Sequence, residues 1–223
     1  LVSNSGVVAT DTSGVGTARN SLSACSYDKL DKGIFAYGQN SSEAFTAVSN
    51  LVSNAGVVAS DTSGVGDARG HMAACEYGED KGIFIFGYGP GHEWPQEKKL
   101  VSNVGVIATD ASFSGTTGRQ NPGGCSYGGD KGIIAYGYTA GAGSVSMSNL
   151  ISNTGSVAAD VTGVGTAREV HSGACEYGQD KGIFAYGGGT TNVSNKVSNA
   201  GVVASDTTGV GTARHQHAGC SYN

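Results

Sequence analysis

Short apolar runs recur along the chain, and each is bounded by glycine or by charged residues. The strings "ACEYG" (residues 74–78) and "KGIFIFG" (residues 81–87) have the length and apolar content of β-strands. Two further runs, "LVSN" (residues 51–54) and "GVVASD" (residues 56–61), are separated by the Asn-x-Gly signal of a tight hairpin. The pattern predicts an all-β protein with four short strands in each repeat and little helix.

Five copies of this unit follow one another. They begin at residues 1, 51, 100, 150 and 196, so the period is 46 to 50 residues. Repeats of this size with four strands each favour a β-propeller, in which four-stranded blades pack around a central axis. We therefore predict a single domain, residues 1–223, with a partial unit at 1–27 and further units at 28–77, 78–127, 128–177 and 178–223.

The string "ARGHMAACEYGEDKGIFIFGYG" (residues 68–89) resembles the kelch repeat, which has an arginine, a small-apolar strand, and a strand ending in glycine beside an aromatic residue. The string lacks the kelch tryptophan near "GVVASD" and has "FGYG" where a glycine pair is usual. The near-identical copies also resemble the repeats of phage-tail and other virion propeller proteins over essentially the whole chain. The resemblance implies a five-bladed, kelch-like β-propeller.

Strands of the "DKGIFAYG" type occur four times, whereas the other strands occur five times. We therefore expect one blade that is either incomplete or closed by both termini. The remaining strand of that blade would come from residues outside this chain or from a neighbouring copy.

Charge and hydropathy exclude two classes of partner. The net charge is −5, and the chain has no run of lysine and arginine that would bind nucleic acid or an anionic membrane. The longest apolar run is the four residues 83–86, far short of the ~20 needed to span a bilayer. We expect a soluble protein without membrane insertion and without a nucleic-acid partner.

Each copy contains one cysteine. Equivalent positions in neighbouring blades are held a whole blade apart, too far for disulfides, and paired Cys or His at zinc-site spacing is absent. We predict buried, reduced thiols, and the odd number favours assembly in a reducing cytoplasm. These cysteines are Cys25, Cys75, Cys125, Cys175 and Cys220.

The loop "GVGTAR" lacks the Lys-Ser/Thr of a phosphate-binding loop, and "DTSG" has too few carboxylates for a calcium loop. We interpret both as turns, and predict neither a metal nor a cofactor. An arginine and an aspartate recur in all five copies and suit ion pairs between strands or blades. They are Arg19, Arg69, Arg119, Arg168 and Arg214, with Asp11, Asp61, Asp110, Asp160 and Asp206.

Catalysis needs a nucleophile, a base and an orienting group from different elements, and no such set is recognisable. The candidates in a single blade are His92 and Glu93, without an identifiable partner. We therefore predict that the chain is not an enzyme.

Positions that differ between near-identical copies are those that the fold leaves free. One such zone lies between the arginine and the cysteine, and the other is the loop after the aromatic strand, which contains the single tryptophan. An exposed tryptophan there could stack on a sugar or anchor a protein. The predicted ligand-binding residues are Trp94, His92, Glu93, His71, Met72, Asn121, Glu169, His171, His215 and His217.

Two functions remain open at this point. The first is a non-catalytic binding or adhesion module, phage-tail-like or lectin-like, that recognises a cell-surface glycan or protein receptor through its variable loops. The second is a structural virion or filament subunit that assembles with copies of itself. Both imply a place on a virion or on an extracellular surface.

Overall fold

The computed structural model describes residues 1–3, 5–29, 31–91, 93–171 and 173–221. These residues form β-strands and no helix, so the all-β prediction is confirmed, and they contain no helix that could cross a membrane. The five-bladed ring stays a prediction. The strands are β1 (Arg19–Asn20), β2 (Ser23–Tyr27), β3 (Lys32–Ala36), β4 (Gln39–Asn40), β5 (Ser49–Val52), β6 (Ala73–Tyr77), β7 (Lys81–Ile85), β8 (Glu97–Val101), β9 (Ala111–Ser112), β10 (Gly123–Tyr127), β11 (Lys131–Ala135), β12 (Tyr138–Thr139), β13 (Gly143–Ser144), β14 (Ser148–Ile151), β15 (Ala174–Tyr177), β16 (Lys181–Gly187) and β17 (Thr191–Val197).

Four antiparallel sheets share one plan. Each contains a cysteine strand, a middle strand that begins with Lys-Gly-Ile, and an outer strand, in that order. In the third sheet, Cys125 lies opposite Ile133, and Ile133 lies opposite Leu150. The first to fourth sheets are β2-β3-β5, β6-β7-β8-β9, β10-β11-β14 and β15-β16-β17, and two short ribbons, β1-β4 and β12-β13, complete the pairing.

The sheets do not follow the predicted unit boundaries. Those boundaries fall at 27/28, 77/78, 127/128 and 177/178, in the tight turn between each cysteine strand and its middle strand. A sheet therefore takes its cysteine strand from one predicted unit and its other strands from the next.

The predicted fourth strand of each repeat is mostly reduced to single bridges. The "GVV" segment meets the outer strand at isolated pairs such as Val52 with Val58. The Asn-x-Gly turn is formed, since Gly56 N donates to Ser53 O, but the first valine of the segment, Val57, is 64% exposed. A segment with little buried surface has little to hold it in register. Among the described residues the second sheet has a fourth strand, β9, but it lies beyond the predicted segment at 105–110.

Apolar side chains fill the seams between consecutive sheets. Each of the three buried clusters combines residues of two neighbouring sheets. Tyr37, which follows β3, packs edge-on against Phe84 of the second sheet with centroids 5.3 Å apart, and Tyr136 packs in the same way against Phe184 at 5.4 Å. Successive side chains of a strand point to opposite faces of its sheet, so a middle strand contributes side chains to the seam on each side.

Glycine in the middle strand allows this close approach. A Cβ atom built on Gly82, Gly132 or Gly182 would lie 2.5 Å from the sulfur of the cysteine in the preceding sheet. A real Cβ cannot come so near, so the Lys-Gly-Ile motif is explained by packing between sheets.

In the first, third and fourth sheets, a buried arginine side chain donates a hydrogen bond to an asparagine of the outer strand. The guanidinium of Arg119 donates to Asn149 Oδ1 (2.6 Å), and Asn149 Nδ2 donates to Asp160 Oδ1 (2.9 Å). Arg119 also lies over the Phe86 ring, 4.4 Å from its centroid, and burial lowers the pKa of Arg119 to about 10. The nearest nitrogen of Arg119 is 3.8 Å from Asp160, so the predicted ion pair is bridged by an amide.

Candidate functional site

Residues of the cysteine strands line a cavity of about 880 Å³, which we call the central cavity. Residues from all five copies line it, including the five cysteines. These are free thiols: Cys75 and Cys125 are buried, Cys25 and Cys175 are half-buried, and Cys220 is exposed, so the prediction of burial is wrong for Cys220. Burial raises the pKa of Cys25 to about 12 and that of Cys75 well above its ordinary value, which makes these thiols weak nucleophiles at neutral pH.

One end of the central cavity opens into a second space of about 400 Å³, which we call the variable pocket. The two spaces share residues such as Met72 and His171. The variable pocket is lined by Asn20, Ser21, Leu22, His71, Met72, Asn121, His171, Gln216, His217 and Ala218. The structure therefore brings together the stretches between arginine and cysteine of all five copies.

Backbone geometry turns these residues toward one another. Within the stretch between arginine and cysteine, each copy has a non-glycine residue with a positive φ: Ser21 (51°), His71 (58°), Asn121 (54°), His171 (55°) and Gln216 (51°). Such angles are uncommon outside glycine, although Asn and His tolerate them better than most residues. Successive copies are linked there, because the amides of residues 71, 121 and 171 donate to the carbonyls of residues 21, 71 and 121, each at 2.9 Å.

A chain of side-chain hydrogen bonds fixes the polar groups of the pocket. Asn121 Nδ2 donates to a carboxylate oxygen of Glu169 (2.6 Å), which orients the amide so that its oxygen faces His71. The Nδ1 atom of His71 lies 2.8 Å from that oxygen and must therefore carry the proton. With the proton on Nδ1, a neutral imidazole has its Nε2 atom free as a hydrogen-bond acceptor.

The other predicted histidines differ in position. Burial lowers the pKa of His171 and of His217, so both favour the neutral form. The ring of His217 packs edge-on against Tyr186 at 5.1 Å, and its two nitrogens are buried without a partner among the described residues. His215 is exposed, 3.4 Å from Thr190 Oγ1, and is not among the residues that line the variable pocket.

The second predicted zone lies elsewhere. His92 is outside the described residues. Glu93 is exposed and Trp94 is half-buried, with its ring centroid 5.4 Å from that of Tyr88, so a binding role for Trp94 stays a prediction. The backbone of Trp94 packs closely against Gly118, which explains the burial. Neither Glu93 nor Trp94 is among the residues that line the variable pocket.

Two carboxyl groups at the other end of the central cavity were not predicted. Glu76 is 7% exposed and accepts a hydrogen bond from Ser26 (2.9 Å), and Glu176 lies close enough to raise its pKa further. Both line a space of about 370 Å³ beside the turns that follow the cysteine strands. The sequence held a signal, because this position reads Ser, Glu, Ser, Glu and Ser in otherwise similar strands.

Glu76 makes the stability of the fold depend on pH. Burial raises its pKa from 4.5 to about 7, so the folded state binds a proton more tightly than the unfolded state. This contribution to stability is present below pH 4.5 and is lost as the pH rises toward 7. We expect Glu76→Gln to remove it and to be more stable than the wild type at pH 8, by up to about 3 kcal/mol.

Urea unfolding at a series of pH values measures this effect. If the two proteins have parallel stability curves between pH 4 and 8, burial of the Glu76 carboxyl has no energetic consequence.

A separate group of carboxylates, Asp67, Glu97 and Asp110, has ligand atoms within 4.8 Å of one another. The cations Arg69 and Lys99 already occupy it: Arg69 binds Glu97, and Lys99 binds Asp110. Here a lysine stands where the other sheets have asparagine, and the carboxylates balance two buried cations instead of holding a metal.

Comparison with known proteins finds no family model and no curated protein that matches this chain. The function must therefore be argued from the geometry of the site.

Proposed function

We propose that the chain is a non-catalytic recognition module, built as a five-bladed propeller, that holds its ligand in the variable pocket. The observation that carries the proposal is the meeting of variable residues from all five copies in one pocket, while the residues shared between copies fill the seams. Shared residues are explained by packing. The differing ones include imidazole and amide groups that packing does not require.

The pocket is organised before a ligand arrives. The Glu169–Asn121–His71 chain fixes the orientation of an amide and the tautomer of an imidazole. Preorganised polar groups lose little entropy on binding. The neutral imidazoles of His171 and His217 add apolar contact surface, a combination that suits a neutral ligand with hydroxyl groups, such as a sugar. We propose a cell-surface glycan as the ligand, and a virion or extracellular surface as the location.

A glycan array probed with the labelled chain tests this function. We expect one class of glycan to bind, and Asn121→Gly to weaken that binding about tenfold or more, since it removes the central hydrogen-bonding side chain. Glycine accepts the positive φ at this position, so the backbone is left in place.

Trp94→Ala is the matched control, because it changes the other predicted binding zone. We expect it to retain glycan binding. Loss of binding with Trp94→Ala and retention with Asn121→Gly would contradict the assignment of the pocket. An oligomer on a sizing column that binds no glycan would instead support the assembly function.

A further inference from the structure

An apolar groove remains open beside the first sheet. Phe35, in the middle strand of that sheet, is 38% exposed, whereas its counterparts Phe84, Ile134 and Phe184 are each 0% exposed. Those counterparts are covered by the preceding sheet. The groove in front of Phe35 has a volume of about 580 Å³ and is also lined by Leu1 and Leu22.

The N-terminal hairpin forms one wall of this groove. Leu1 packs on Gly56 of the first sheet, as Leu51 packs on Gly105 of the second. The N-terminal hairpin thus has the position of an outer strand in a sheet that precedes the first sheet. Its core face is uncovered, however: Val2 is 59% exposed, but the equivalent Val101 is 0% exposed.

The C-terminal segment has the position of the cysteine strand in that same sheet. Gly219 packs against the backbone of Ala174 as Gly124 packs against Ala74, and Ser221 Oγ accepts a bond from Glu176 N (3.2 Å). Residues 218–221 line the central cavity together with Phe35. The groove is therefore flanked by an outer strand on one side and a cysteine strand on the other.

A buried cation also points to an occupant. The Arg19 side chain lines the groove and is only 4% exposed. One terminal nitrogen donates to Asn50 and the other lies 4.0 Å from Asp61, but no aromatic ring among the described residues covers the guanidinium. The equivalent Arg119 and Arg168 each lie over an aromatic ring of the preceding sheet, at 4.4 and 4.1 Å. For Arg168 that ring is Tyr136, whose hydroxyl donates to the carbonyl of Val164.

We propose that this groove binds one β-strand of Lys-Gly-Ile-Phe-Ala-Tyr-Gly pattern that lies outside residues 1–223. The filled sheets define its register. The isoleucine would lie between Cys220 and Leu1, as Ile133 lies between Cys125 and Leu150. The tyrosine would cover Arg19 and Phe35 and donate to the carbonyl of Val15.

A second folded copy has no such strand to offer, because each of the four middle strands in the described residues is already paired on both sides. The added strand completes a sheet through backbone hydrogen bonds to both neighbours, which is the mode called β-augmentation. This site is distinct from the variable pocket and does not depend on the proposed ligand.

The peptide DKGIFAYG, copied from residues 180–187, is the probe. Added to the 223-residue chain as a fluorescent conjugate, it should bind with a dissociation constant below about 1 mM and raise the melting temperature. The same peptide with glycine and isoleucine exchanged should not bind, because the exchange disrupts the register. Phe35→Asp should weaken binding at least tenfold, and the exposed control Val161→Asp should leave it unchanged.

Cross-linking tests the register. A peptide with cysteine in place of its isoleucine should form a disulfide with Cys220, because residues opposite each other in antiparallel strands have Cα atoms about 4.5–5.5 Å apart. Absence of saturable binding, or equal binding of both peptides, would overturn the proposal. A dimer of the chain that excludes the peptide would overturn it as well.

Discussion

Phe184→Ala should lower the free energy of unfolding by about 3–5 kcal/mol, the usual cost of removing a fully buried aromatic side chain. Phe184 is 0% exposed and packs against Tyr136 in the seam between the third and fourth sheets. Its loss leaves a cavity that two rigid sheets cannot close. Urea unfolding of the variant and the wild type measures the difference.

Phe35→Ala is the matched control, with the same residue type at the same position of another sheet. Because Phe35 is 38% exposed, we expect this variant to lose about 1 kcal/mol or less. Equal losses for the two variants would mean that the first sheet is covered in solution, and would contradict the open groove.

Asn149→Ala should cost about 3–5 kcal/mol, because it removes three buried hydrogen bonds and leaves the Arg119 guanidinium with only the carbonyls of Thr117 and Ile134 as hydrogen-bond acceptors among the described residues. Asn149 is fully buried, accepts from Arg119, and donates to both Ala158 O and Asp160. The desolvated guanidinium cannot recover these contacts from water. Chemical unfolding again measures the effect.

The second sheet provides a natural compensation for this change. There Lys99 takes the asparagine position, and Glu97, two residues earlier, binds Arg69. Asn149→Lys alone should therefore be severely destabilising, whereas the double variant Met147→Glu/Asn149→Lys should recover at least half of the loss. If the double variant is no more stable than Asn149→Lys, the introduced glutamate and lysine do not stabilise the buried arginine as a set.

The cysteine and middle strands could be predicted from the sequence because local pattern determines them, whereas the run predicted at residues 51–54 overlaps strand β5, Ser49–Val52, by only two residues. The run predicted at residues 81–87 is strand β7, Lys81–Ile85, and it ends where Phe86 adopts a positive φ of 59°. The fourth strand could not be predicted in the same way. Its valines look like a strand, but without a covered face they pair only at single bridges.

Several residues of the variable pocket were predicted from the sequence, but their backbone conformation and their contacts were not. Comparison of the copies identified His71 and Asn121, but not the positive φ that turns them inward, since neither is a glycine. Asn149 was missed because "MSNL" (residues 147–150) reads as an ordinary strand, and only the structure shows its amide between a buried arginine and an aspartate. The half-burial of Trp94 could not be predicted from the sequence, because its contact with Tyr88 depends on loop conformation.

Amide hydrogen exchange of the chain with and without a glycan selected from the array tests the central claim most directly. Recognition by the variable residues predicts protection concentrated at residues 70–72, 120–121, 169–171 and 216–218, in separate copies of the repeat. Protection centred on residues 93–96, or spread over the outer hairpins with the pocket unchanged, would contradict it.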